Sequence, residues 1–171
     1  SGSVIPGMSL YSRASSGVPG TVDGLIRVLE DHGSGKISLR EVLNPAIELA
    51  ERGFFLSYFE ANRLNVYKKF FERNSAASKI FIRSDGKPWE KGQKFIQKDL
   101  AKTLKKIARY GRDGFYSGTV AQLIVQEMKR GNGLITKEDL FNYESKYRPP
   151  ILGTYKGYEI VSMGPPSSGG A

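Results

Sequence analysis

The chain has 171 residues and a mass of 18.9 kDa, which fits one domain able to bury roughly two-thirds of its unfolded surface. It has no cysteine and one histidine, so disulfides, thiol nucleophiles and thiolate metal sites are excluded. Its net charge is +9, its mean hydropathy is -0.36, and no apolar run approaches the ~20 residues of a membrane span.

The charge is uneven. Residues 1–60 carry 5 basic and 7 acidic side chains, residues 61–112 carry 15 and 4, and residues 113–171 carry 6 of each, so the middle third holds the whole excess. The amino end, SGSVIPGMSL, has neither a basic segment nor an apolar core, and no signal peptide is expected in it. Residues 1–20 read as loop, with turns at Pro6-Gly7 and Pro19-Gly20. A helix is predicted over Thr21–His32 with Val22, Leu25, Ile26 and Leu29 on one face, ended by Gly33. Gly35-Lys36 resembles a phosphate loop only superficially, since Glu30 and Ile37 stand where that motif needs Gly and Ser/Thr.

Ser38 and Glu41 form a capping box that opens a short helix through Leu43. Pro45 is expected to interrupt it, with Asn44 capping a second helix that turns Ile47, Leu49 and Ala50 inward and closes at Gly53. Ser57 and Glu60 form another box, starting a helix to about Arg73 with a broad apolar face of Phe59, Leu64, Val66, Tyr67, Phe70 and Phe71. Ile80, Phe81 and Ile82 read as a strand, Asp85-Gly86 as a turn and Pro88-Trp89 as a loop anchor. Ile96, Leu100, Leu104, Ile107 and Ala108 make the inner stripe of a helix ending at Gly111, and a last long helix carries Val120, Leu123, Ile124 and Met128 to Gly131.

Thr136 and Asp139 can cap the first turn of a short helix whose apolar side is Leu140, Phe141 and Tyr143. Pro149-Pro150 stop any helix. Ile151-Leu152 and residues 158–163 then read as a hairpin joined through residues 153–157. Ser167, Ser168, Gly169 and Gly170 resemble the approach to a further helix, or a backbone nest for an anion. The fold class expected is α+β, mainly helical, with six to eight helices, one hairpin near the C-terminus and a lone strand.

Residues 136–170, TKEDLFNYESKYRPPILGTYKGYEIVSMGPPSSGG, resemble the large subunit of the γ-glutamyltransferases (γ-glutamyltranspeptidases, glutathione hydrolases). That family shows T-x-E-D-L-x-x-Y, then R-x-P-(I/L)-x-G-x-Y-(K/R)-G-Y, then S-M-x-P-P-S-S-G-G. All three stand here in order, with Gly164 where a third proline is usual. SGVPGTVDG at residues 16–24 matches S-G-x-P-G-T-V-x-G, and LNPAIELAERG at residues 43–53 matches P-A-I-x-L-A-E-x-G. Phe81, Gly86, Pro88, Gly92, Gln97, Asp99, Leu100, Ala101, Thr103 and Leu104 follow another family pattern, and Phe115-Tyr116-x-Gly118 a further one.

The resemblance implies a piece of a larger N-terminal-nucleophile hydrolase of αββα architecture. Residues 1–20 would be loop, 21–145 helical, 146–163 hairpin and 164–171 a truncated loop. It also implies a parent that cleaves γ-glutamyl amides such as glutathione and passes the acyl group to water or an amino acid. Its nucleophile is a threonine exposed by self-cleavage, whose own amine serves as base. That threonine belongs to the small subunit, beyond a stretch like residues 164–170, and the arginine that grips the substrate's α-carboxylate lies upstream of Ser1. No catalytic, cofactor-binding or metal-binding residue is therefore expected in this chain, and it alone is expected to be inactive. Partners would be the rest of the large subunit and the small subunit, with no nucleic acid, and the isolated piece is expected to self-associate. The location implied is periplasmic, secreted or cell-surface.

Other chemistry reads weakly. His32 is expected in solvent at a helix end. Glu30/Asp31, Glu48/Glu51 and Glu138/Asp139 read as caps or exposed helix positions, not as an acid–base pair. Thr21, Thr103, Thr119, Thr136 and Thr154 are internal and have no free amine, and Ser1 lacks a supporting strand. Lys98, Lys102, Lys105, Lys106, Arg109 and Arg112 line one helix face, and a basic helical nucleic-acid-binding module is the alternative reading.

Overall fold

Three helices begin on reciprocal caps, as their sequences demand. Ser38, Ser57 and Thr136 each accept from the amide three residues on, and Glu41, Glu60 and Asp139 each return a bond to the cap's own amide. The structure, a computed structural model, describes residues 5–167. Helix α1 (Met8–Tyr11) and a 3-10 turn (Arg13–Ser15) occupy part of the stretch expected as loop. They are followed by α2 (Thr21–His32), α3 (Leu39–Arg52), β1 (Phe54–Phe55), α4 (Tyr58–Val66), α5 (Lys68–Phe71) and α6 (Ser75–Phe81). Then come β2 (Lys94–Phe95), α7 (Lys98–Tyr110), α8 (Asp113–Tyr116), α9 (Gly118–Arg130), α10 (Lys137–Phe141), β3 (Ile151–Tyr155) and β4 (Tyr158–Ser162). The fold is helical with two small two-stranded sheets.

Several expectations are corrected. Pro45 does not split α3, which runs through it unbroken. An interior proline forfeits one backbone bond at about 3 kcal/mol; here the capped start and the burial of Ile47 and Ala50, on a helix packed along α7, hold the helix together. The helix expected to reach Arg73 breaks at Tyr67 into α4 and α5. Ile80 and Phe81 lie in a helix, not a strand, because Asn74 Oδ1 accepts from the amides of Ala76 and Ala77 at 2.9 and 3.2 Å and starts α6. Phe81 then stacks on Phe71, with ring centres 4.8 Å apart.

The inner stripes also shift. Leu49, Leu100 and Leu123, expected inside, are exposed, as are Leu25 and Ile96, while Ile26, Ile47, Ala101, Ile107, Val120 and Ala121 are buried. Each of these helices carries more apolar surface than the rest of the chain covers.

The antiparallel pairing of β1 and β2, Phe54 with Phe95 and Phe55 with Lys94, was not legible in the sequence. It follows Gly53 at φ 82, where a Cβ would lie 2.5 Å from Ile96 Cγ1 and 2.8 Å from the Phe95 carbonyl oxygen, so only glycine fits. Trp89 anchors the loop before it, donating from its amide to Asn65 and from Nε1 to the Phe81 carbonyl, both at 2.8 Å.

Strand β3 is longer than expected, β4 ends one residue earlier, and the loop between them is shorter. They pair antiparallel with Leu152 opposite Val161 and Thr154 opposite Glu159, around Lys156 and Gly157 at φ 50 and 83. Two successive positive φ values are the mark of the tight turn that matches strand twist. Both faces of this hairpin are exposed, including Leu152, Tyr155, Tyr158 and Val161.

Two apolar clusters hold the rest. One gathers Tyr116, Ala121, Ile135 and Leu140; the other gathers Leu56, Ala61 and Phe95. Thirteen apolar residues are buried among those described, against thirty large apolar ones left exposed. The accessible surface, 12978 Å², compares with about 8,300 Å² for a self-contained monomer of this mass.

Candidate functional site

The most developed polar cluster lies at the first turn of α2. Asp23 is buried there one turn before buried Ile26, so the apolar stripe of α2 carries a carboxylate inward. Its Oδ1 accepts from Arg112 Nε at 2.8 Å and its Oδ2 from the Ser145 amide at 2.7 Å. Arg112 also donates to the carbonyls of Phe141 (3.0 Å) and Tyr143, and Arg27 donates to the carbonyl of Ser145. Residues 141–150, the strap that leads to β3, are thereby tied to α2 and to the loop after α7.

Tyr116, fully buried, completes the knot. Its hydroxyl donates to the Pro19 carbonyl at 2.6 Å and accepts from the Asp23 amide at 3.2 Å, while its ring stacks on Tyr143 with centres 5.6 Å apart. Tyr143 lies so close to Gly20 that a Cβ there would collide with its hydroxyl. Gly20, the middle glycine of the segment SGVPGTVDG, thus has a packing reason.

Burial pushes the Asp23 carboxyl up, but hydrogen bonds from Ser145 and from Arg112, with the Arg112 charge, outweigh it and hold the group below its ordinary value. Burial raises the Tyr116 phenol. An ionised carboxylate with both oxygens engaged by fixed donors holds structure and has no proton to give.

Next to the knot, a cleft of about 540 Å³ opens between the strap and the end of β4. Tyr147, Arg148 and Pro150 line one side, Met163 and Pro165 the other, and Arg148 Nη1 reaches the Pro165 carbonyl at 3.5 Å. Of the nest expected at residues 167–170, Ser167 alone is described and it is not among the residues that line this cleft; Ser168, Gly169 and Gly170, and the Ser1 terminus, lie outside the described residues.

The remaining candidates do not converge. His32 is exposed, with Nε2 3.2 Å from the Tyr147 hydroxyl, which donates to Asp31 at 2.8 Å. Glu51 pairs with Lys105 at 2.5 Å and Asp139 serves the α10 cap. Of the six basic residues of α7 and its exit, Lys102 pairs with Asp99, Lys105 with Glu51, and Arg112 turns inward to Asp23. Half of that expected basic face is neutralised within the chain. Among the described residues no group of three or more His, Cys, Asp or Glu could hold a metal ion, and no helix is long and apolar enough to cross a membrane. Sequence reasoning missed the knot itself. The one available signal was a carboxylate set among the apolar positions Val22, Leu25 and Ile26.

A family profile described as gamma-glutamyltranspeptidase matches residues 1–171. The chain belongs to the γ-glutamyltranspeptidase family. It is 44% identical to a glutathione hydrolase proenzyme of Escherichia coli (strain K12), over 95% of this chain and 28% of that protein. It is 38% identical to an acylase ACY 1 proenzyme of Pseudomonas sp. (strain SE83), over 90% of this chain and 27% of that protein. The crystal structure of Helicobacter pylori γ-glutamyltranspeptidase superposes with a TM-score of 0.92 at 44% identity, over 99% of this chain and 48% of that one. The chain thus spans under a third of the curated γ-glutamyltranspeptidase-family relatives it matches, and its helical fold is that of a segment of the solved enzyme.

Proposed function

We propose that this chain is the structural, helical segment of a γ-glutamyltransferase large subunit. Its parent cleaves γ-glutamyl amides such as glutathione and transfers the γ-glutamyl group to water or an amino acid. In that parent the attacking hydroxyl is a threonine of the small subunit, exposed by self-cleavage and served by its own amine. Donors placed for the oxyanion stabilise the acyl-transfer transition state. Names of relatives as proenzymes support the cleavage step, and an acylase among them supports a common acyl-transfer frame with donor choice fixed elsewhere.

The observation that carries the structural role is the accessible surface of 12978 Å², about half as large again as a self-contained domain needs. An apolar hairpin bare on both faces is what the inner layer of an αββα sandwich requires on each side. The Asp23 knot sets the strap, the strap sets the hairpin, and the cleft beside them becomes one wall of a larger site. The parent works outside the cytoplasm.

A chromogenic γ-glutamyl anilide tests this reading. The chain alone is expected to release no anilide above the uncatalysed rate, and release that survives deletion of Ser1 would overturn it.

A further inference from the structure

A pocket of about 330 Å³ opens beside α4, at the small end of the range for small-molecule sites. Phe54, Leu56, Leu64, Phe71 and Phe95 make it apolar, and Glu60 and Arg63 stand on one wall. The Arg63 guanidinium carbon lies 5.7 Å from the ring centre of Phe59 and 5.2 Å from that of Tyr67, residues one helical turn to either side. Stacking occupies the faces of a guanidinium and leaves its planar N–H fork, shaped for a carboxylate, open. Among the described residues the Arg63 guanidinium makes no hydrogen bond and no ion pair. Glu60, three residues earlier, does not neutralise it, because the α4 cap engages Glu60 Oε2 with the Ser57 amide at 2.7 Å.

We infer that this pocket binds a small hydrophobic carboxylate, its hydrocarbon against Leu64, Phe71 and Phe95 and its carboxylate on the Arg63 fork. Charge decides the class. One unpaired guanidinium matches one negative group, and Glu60 on the same wall, kept ionised by its hydrogen bonds from Ser57, disfavours a second. The inference needs no reaction and stands apart from the acyl-transfer reading.

Trp89, the only tryptophan, has its ring centre 5.5 Å from that of Phe95 and reports on the pocket. The experiment titrates the full chain with 4-phenylbutyrate and, in parallel, with 4-phenylbutanol while following Trp89 fluorescence. The acid is expected to give a single saturable site and the alcohol to bind at least about tenfold more weakly. Arg63→Met, which keeps the side-chain stem, is expected to bring the acid down to the alcohol's affinity with the circular-dichroism melt unchanged. Leu64→Phe, which fills the pocket, is expected to abolish both. Equal affinity for acid and alcohol, or an Arg63→Met chain that binds the acid undiminished, would overturn the inference. So would a fluorescence change that follows the dissociation of a dimer in sedimentation velocity, since a second copy would then be the occupant.

Discussion

Asp23 and Arg112, 89 residues apart in the chain, meet with carboxylate oxygen and Nε 2.8 Å apart beneath the strap that leads to the hairpin. The carboxylate side chain is 9% exposed and the guanidinium 31%, so the pair is partly shielded from solvent. Asp23→Asn leaves Arg112 and the Ser145 amide without a charged acceptor. It is expected to lower stability by about 2–3 kcal/mol, the scale of hydrogen bonds to a charged group. Urea denaturation measures it, and Arg112→Met added to Asp23→Asn is expected to cost less than the two single losses summed.

The same carboxylate gives acid sensitivity of a definite sign. Its folded pKa is depressed, so it stabilises the fold above the unfolded aspartate value of about 3.9. That contribution is lost as pH falls through the lower folded value. Urea midpoints measured from pH 6 down to pH 3 are expected to fall more steeply for the natural chain than for Asp23→Asn. The capping carboxylates Glu41, Glu60 and Asp139, also depressed by their hydrogen bonds, remain in both and cancel in the comparison.

Gly20 and Tyr143 form a second long-range contact that a single atom disturbs. A methyl group at Gly20 would strike the Tyr143 hydroxyl. Gly20→Ala is expected to destabilise by about 1–3 kcal/mol, the range for overpacking. Tyr143→Phe in the same chain is expected to recover part of that loss in thermal denaturation, since it removes the struck oxygen.

The bare hairpin is expected to make the chain associate with itself. Leu152 and Val161, opposite each other on β3 and β4, are both exposed, and the strand edges offer unpaired backbone groups. Light scattering is expected to show mass rising with concentration, and Val161→Lys to reduce it.

What the sequence made legible is what depends on neighbours along the chain. The boxes at Ser38/Glu41, Ser57/Glu60 and Thr136/Asp139 are three-residue relations, and all three form. The hairpin around Lys156-Gly157 is nearly as local. Burial is a different matter, because it needs a partner. Leu49, Leu100 and Leu123 fit helical stripes perfectly well, yet none of the other described residues covers them. The strand reading of Ile80 and Phe81 failed because Asn74, six residues before Ile80, sets a helix whose last residue is drawn into the stack with Phe71. The Asp23–Arg112–Ser145 knot joins three distant segments, and no periodicity announces such a meeting.

In the proposed structural role the β3–β4 hairpin is an inner layer that waits for its cover. Hydrogen–deuterium exchange of the hairpin amides, in this chain alone and in the parent polypeptide, measures that directly. A two-stranded ribbon alone is marginal, so exchange is expected to be fast in the chain and slower by on the order of a hundredfold in the parent. Equal and strong protection in both would contradict the account, because the hairpin would then be complete by itself.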